Sequence, residues 1–159
     1  MIILGLDPGL ATTGYALIEL RSGRYRALDW GIITTLKSLT LPTRLQHISR
    51  DLTRLIKRWR PKLSVVESVY FAKNAKTAIV VAHARGVILL TLRQSEVPVL
   101  ELTPLQMKLR ITSSGNAPKT QVQFMVKKLL DLQTSPQPDD AADALALALC
   151  GGFKSQRQR

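Results

Sequence analysis

Three of the 11 acids in this 159-residue chain stand in apolar surroundings: Asp7 closes "MIILGLD", Glu67 closes "LSVVE", and Asp143 lies inside "DDAADALALAL". Glu101 shares this setting more weakly, whereas Glu19, Asp29, Asp51, Glu96 and Asp131 lie among polar or basic residues. A buried, unpaired carboxylate costs several kcal/mol. Two arrangements relieve that cost: salt bridges to the many Lys and Arg side chains, or a divalent cation held by the acids together. Asp140 and Asp143, three apart at the start of a helix, share one face and profit from the helix dipole. Asp139 reads as an N-cap. Carboxylates without paired His or Cys are hard oxygen donors, which suit Mg²⁺ or Mn²⁺ rather than zinc. Two such ions about 3.5–4 Å apart activate a water and stabilise the leaving oxygen in phosphodiester cleavage.

These acids need a scaffold, and the pattern of apolar residues supplies one. Residues 1–7, 13–20 and 25–35 read as three strands with short connections, an antiparallel meander. From Pro42 to Trp59 the spacing becomes helical: Leu45, Ile48, Leu52, Leu55, Ile56 and Trp59 share one side, with Arg44, Arg50, Arg54, Lys57 and Arg58 elsewhere. Strands are expected at 63–67 and 97–102, and helices at 74–94, 104–110, 119–132 and 139–152. The last helix is expected to stop at Gly151-Gly152, with the basic tail 153–159 disordered. The order βββαβαβααα indicates an α/β fold: one domain over 1–152 with three layers and a five-stranded mixed sheet flanked by helices. Asp7 and Glu67 then fall at the C-terminal ends of strands, the edge where open α/β sheets build their sites.

Composition points the same way. Lys and Arg number 23, for a formal charge of +12 and a pI near 10.5, which suggests an anionic partner, most often nucleic acid. A basic protein with a cluster of acids suited to magnesium reads as a nuclease. The single cysteine, Cys150, excludes a disulfide framework and reads as a buried thiol behind "ALALAL". No secretory leader or membrane span is expected, so the chain fits the cytoplasm. His47 and His83 fall on expected helices away from the acids, so neither is expected to act as general base.

Four segments resemble, in order, the motifs of the RuvC Holliday-junction resolvases, nucleases of the ribonuclease H-like fold. They are "GLDPGLATTGYALIE", "VVESVYFAKNAKTA", "PKTQVQFMVKKLL" and "DDAADALALAL". The resemblance runs from Met1 to about Cys150. It implies that Asp7, Glu67, Asp140 and Asp143 are catalytic metal ligands, for two Mg²⁺ ions per subunit with Mn²⁺ able to substitute. It implies that Lys108 and Lys119 act near the scissile phosphate. Tyr70, Lys73 and Arg85 join those two lysines as DNA-binding candidates, with Tyr70 stacking on an opened base. It further implies symmetric paired nicking of four-way DNA junctions in recombination and repair. A homodimer through helix 74–94 is implied, with Ala75, Ala78, Ala82 and Gly86 allowing close approach. A branch-migration motor of the RuvA and RuvB type is implied as a partner.

Two positions depart from the family pattern: Ser113 and Ala82 stand where glycine is usual. Two other activities remain open. One is a related nuclease acting on ribosomal RNA precursors, and the other is a junction-binding protein without cleavage. The first motif also resembles the phosphate loop of actin-like kinases, but those need two such domains and more residues than this chain has.

Overall fold

The computed structural model describes residues 1–68 and 75–156. The strands are β1 (Ile2–Asp7), β2 (Thr12–Arg21), β3 (Arg24–Thr34), β4 (Leu63–Glu67) and β5 (Val99–Leu102). The helices are α1 (Leu41–Trp59), α2 (Ala75–Gln94), α3 (Pro104–Thr112), α4 (Lys119–Leu129) and α5 (Asp139–Gln156). The sheet order is β3-β2-β1-β4-β5. β1, β2 and β3 form the expected antiparallel meander, and β4 and β5 add in parallel to β1. Asp7 and Glu67 therefore end neighbouring parallel strands at one edge of the sheet.

Each face of the sheet has its own core. Leu4, Leu6, Leu17 and Val66 pack with Ile48, Leu52 and Ile56 of α1 and Ile88 and Leu92 of α2. Ile3, Ala16, Ile18 and Val65 pack with Ala144, Leu145 and Ala148 of α5. Burying each such Leu, Ile or Val is worth about 1.5–3 kcal/mol. Strand alternation decides the rest. Ile3 and Val65 face α5, so Asp7 and Glu67, at even offsets from them, project on that face too.

Helix ends follow local chemistry. α1 has a proline in its first turn and ends at Arg60, left-handed at φ 49°, whose N–H donates to Ile56 O. α3 opens with a capping box in which Thr103 and Gln106 each accept from the other's backbone N–H. It runs two residues past the expected end and closes at Ser113, left-handed at φ 61°. β5 begins two residues later than expected, because Glu96 (φ 56°) and Val97 complete the turn that closes α2.

The expected helix stop at Gly151-Gly152 is corrected: α5 continues through both to Gln156, so the residues read as a disordered tail are helical that far. The glycines serve packing instead. A Cβ on Gly151 would come within 2.6 Å of Val65 Cγ2, and one on Gly152 within 2.4 Å of Tyr25 Cε1. Cys150 is buried, as expected, and burial pushes its thiol up to about 12. No helix among the described residues is long and apolar enough to cross a membrane.

Candidate metal centre

β1 delivers Asp7 into a turn that is tied off locally. Thr13 is fully buried, and its hydroxyl donates to Gly9 O at 2.6 Å. That bond folds the Pro8-Gly9 connection back so that β2 pairs with β1 up to Asp7 and Gly14. β4 brings Glu67 alongside, close enough for each carboxylate to act on the other's proton affinity. Burial first, then the negative charges of Glu67, Asp143 and Asp140, push Asp7 well above the usual carboxylate range. Burial first, then Asp143, raises Glu67 against the pull of Asp7, Lys119 and Lys108.

α5 supplies the other acids because it can lie directly on the sheet. A Cβ on Gly14 would sit 2.0 Å from Asp140 O, and one on Gly5 would sit 1.9 Å from Ala144 O. Any side chain at either position would lift the helix and withdraw Asp140 and Asp143 from Asp7. Burial also raises Asp143, although the Lys119 ammonium works against the rise. Lys119 opens α4, with Nζ 3.1 Å from Asp143 Oδ2 and 3.3 Å from Asp139 Oδ2. Burial disfavours its charge, but those two carboxylates outweigh burial and raise its pKa. Lys108 on α3 is close enough for its charge to be felt at Glu67.

The structure thus brings Asp7, Glu67, Asp140, Asp143, Lys108 and Lys119 to one edge. Arg85 is placed elsewhere, on α2, where its guanidinium pairs with Glu101 of β5. Tyr70 and Lys73 lie outside the described residues. Asp139 departs from its expected role as an N-cap. It is the first residue of α5, pairs with Lys119, and accepts from Gln123 Nε2 at 2.9 Å. Sequence reasoning missed Gln123 altogether. The acid beside Asp140 was the only visible signal of this network.

Among the described residues, no three acid, His or Cys side chains stand grouped to hold an ion as they are. Asp7 and Glu67 crowd each other at the ends of their strands, and the Lys119 ammonium holds Asp143. Four oxygen-donor side chains at one edge, three of them raised by burial first and by neighbouring carboxylates after it, still form a donor set that favours a cation. That set fits a hard divalent cation.

Comparison with known proteins agrees with this geometry. The family model described as crossover junction endodeoxyribonuclease RuvC matches residues 3–151. The crossover junction endodeoxyribonucleases RuvC of Syntrophomonas wolfei and Desulforamulus reducens are each 49% identical over 150 residues. The matches cover 94% of this chain and 87% and 92% of those proteins. Among solved structures, Thermus thermophilus RuvC in complex with Holliday junction substrate superposes with a TM-score of 0.94 at 29% identity. That match covers 99% of this chain and 96% of the other. The yeast mitochondrial resolvase Ydc2, 18% identical with a TM-score of 0.71, shares the fold.

Proposed function

The chain belongs to the crossover junction endodeoxyribonuclease RuvC family, and from that membership we propose that its acid cluster is the metal-dependent centre at which it cuts four-way DNA junctions. It is a nuclease that resolves Holliday junctions, the reaction of its family. Asp7, Glu67, Asp140 and Asp143 would hold the divalent cation, Mg²⁺ by the hardness of the donors and two ions by the resemblance to the family, with Mn²⁺ as substitute. The observation that carries this reading is the Asp7–Glu67 pair at adjoining strand ends, facing the two acids of α5.

A divalent cation bound there supplies a water activated for attack and stabilises the leaving oxygen. The chain's own groups do the rest. The acids fix the cation site at the sheet edge. Lys108 and Lys119 bring positive charge to the phosphate, which offsets charge gained in the transition state. Lys119 is held ready for this by Asp143 and Asp139.

The same reading makes the chain a homodimer through α2, since paired nicks need two centres. Ile79 (57% exposed) and Leu90 (56% exposed) stand out on α2, and Ala82 and Gly86 between them are also exposed. A Cβ on Gly86 would meet nothing, so a second helix could approach closely there. Cooperation with a branch-migration motor and a cytoplasmic location complete the reading.

The test is a synthetic mobile four-way junction with Mg²⁺, using wild type, Asp7→Asn, and wild type with EDTA. Linear duplex and structured RNA serve as controls. Symmetric nicks in the junction alone, lost with the variant and with EDTA, are the expected result. Preference for the RNA would move the assignment to RNA processing, and binding without cutting would leave a junction-binding protein.

A further inference from the structure

Residues 41–62 carry seven Lys and Arg side chains and one acid, Asp51. On α1 the exposed cations Arg50, Arg54, Lys57 and Arg58 lie on the side away from Ile48, Leu52 and Ile56, in one stripe. Arg50–Arg54 and Arg54–Arg58 are like-charge pairs four apart, which cost an isolated helix a few tenths of a kcal/mol each. Asp51 relieves only the first pair, with contacts of 2.9 and 3.1 Å.

An ordinary solvated helix face mixes signs. Cations in the last turn are explained by the helix dipole, which covers Lys57 and Arg58. It does not reach Arg54 or Arg50, further back along the helix. Beyond the helix end the stripe continues into a groove of 990 Å³, where Lys57, Arg60 and Lys62 line one side and Glu96 is the only acid. None of these four side chains forms an ion pair among the described residues.

The stripe also has a direction. Thr34 of β3 pairs with Thr12 at the sheet edge where Asp7 lies, and Arg44 Nε donates to Thr35 Oγ1 at 2.8 Å. α1 therefore starts at the catalytic edge and ends beside the start of β4 at the opposite edge. Its 19 residues cover about 28 Å, equal to about eight base pairs of duplex at 3.4 Å each.

We propose that the outer face of α1, with the groove at its C-terminal end, is a second nucleic-acid contact that holds the phosphodiester backbone of a duplex arm running away from the acid cluster. The proposal rests on the junction-cutting function above. It divides the work between two surfaces: the acid edge holds the junction centre, and α1 holds an arm through charge alone, without regard to sequence.

The test compares wild type with Arg54→Gln/Lys57→Gln/Arg58→Gln, which leaves the Arg50–Asp51 pair in place. Binding is measured in EDTA against salt concentration, on junctions with hairpin-capped arms of about 5 and about 20 base pairs. On long arms, loss of three charges should make the slope of log K against log salt shallower by about 2–3 and weaken binding about tenfold near 0.15 M salt. On short arms the two proteins should agree within twofold. Equal slopes on long arms, or equal weakening on both junctions, would overturn the proposal. If wild type itself fails to bind junctions, the functional reading falls first, and that outcome is distinct. A thermal melt checks the fold. Should the triple variant not fold, Arg54→Gln alone should still reduce the slope by about 0.9.

Discussion

Lys119 and Asp143 form an ion pair inside the acid cluster, Nζ to Oδ2 at 3.1 Å. The lysine stands where positive charge is most needed, and it takes an oxygen that a bound cation would otherwise have to itself.

Replacing Lys119 by Met should therefore separate two effects. Nicking should fall about 10²-fold through lost stabilisation at the phosphate. Calcium, measured by titration calorimetry, should bind more tightly because no ammonium competes for Asp143. The stability cost in EDTA should be small, under about 1 kcal/mol by urea unfolding, because the lysine is nearly half exposed. Unchanged nicking would reduce Lys119 to a clamp on α5.

Asp7 and Glu67 hold protons more tightly in the folded chain than when unfolded, Asp7 up to about 8 and Glu67 up to about 7. Burial is the main cause, and a neighbouring negative charge is second: Glu67 for Asp7, and Asp143 for Glu67. The folded state thus binds more protons between the free carboxylate range and those values, so stability falls as pH rises through that window. The melting temperature in EDTA should drop from pH 5 to pH 8. Asp7→Asn should lose much less over the same range, and Mg²⁺ should flatten the wild-type drop. A pH-independent melt in EDTA would show that the acids are not pressed together.

Gly14→Ala should disable the centre without touching an acid. Its Cβ would fall 2.0 Å from Asp140 O, so α5 must shift, at a cost of about 1–3 kcal/mol. Nicking should fall at least about 10²-fold, as expected when reacting groups move by about an ångström. Chemical denaturation and junction nicking on the same sample check both figures.

Ile79→Asp with Leu90→Asp should leave the chain folded, since both side chains point to solvent in the single subunit. By sedimentation the variant should run as a monomer, and its nicks should become unpaired. A dimer that survives both charges would place the interface elsewhere.

Ser113 occupies a left-handed backbone position at the end of α3, which costs a residue with a side chain about 1 kcal/mol. Ser113→Gly should raise the urea midpoint accordingly. The serine thus stands at a position where glycine, which the sequence resemblance leads one to expect, has a physical reason to be.

The acids were legible because their neighbours are wrong for them: a carboxylate ending "MIILGLD" or "LSVVE" contradicts its own strand. The sheet was legible for a similar reason, since short apolar runs bounded by turn residues and the helical spacing of Leu45 to Trp59 are local signals. Asp139 was not legible, because an acid at a helix start has a sufficient local explanation. Only the fold brings Lys119 and Gln123 to it. Gly151 and Gly152 misled for the complementary reason. In sequence two glycines read as a stop, and nothing local tells that Val65 and Tyr25 press against them.

Those two glycines, with Gly5 and Gly14, make α5 a rod seated at both ends. Its backbone meets the sheet directly at Asp140 and Ala144, and again at Gly151 and Gly152. Seated so, it can neither roll nor slide, and the placement of two acids at one edge is enforced partly from the other. One residue inserted between Ala144 and Gly151 would turn the ends against each other by about 100°, so the seats could not both be kept. The length of that helical segment is therefore as much a part of the proposed metal centre as the carboxylates it carries.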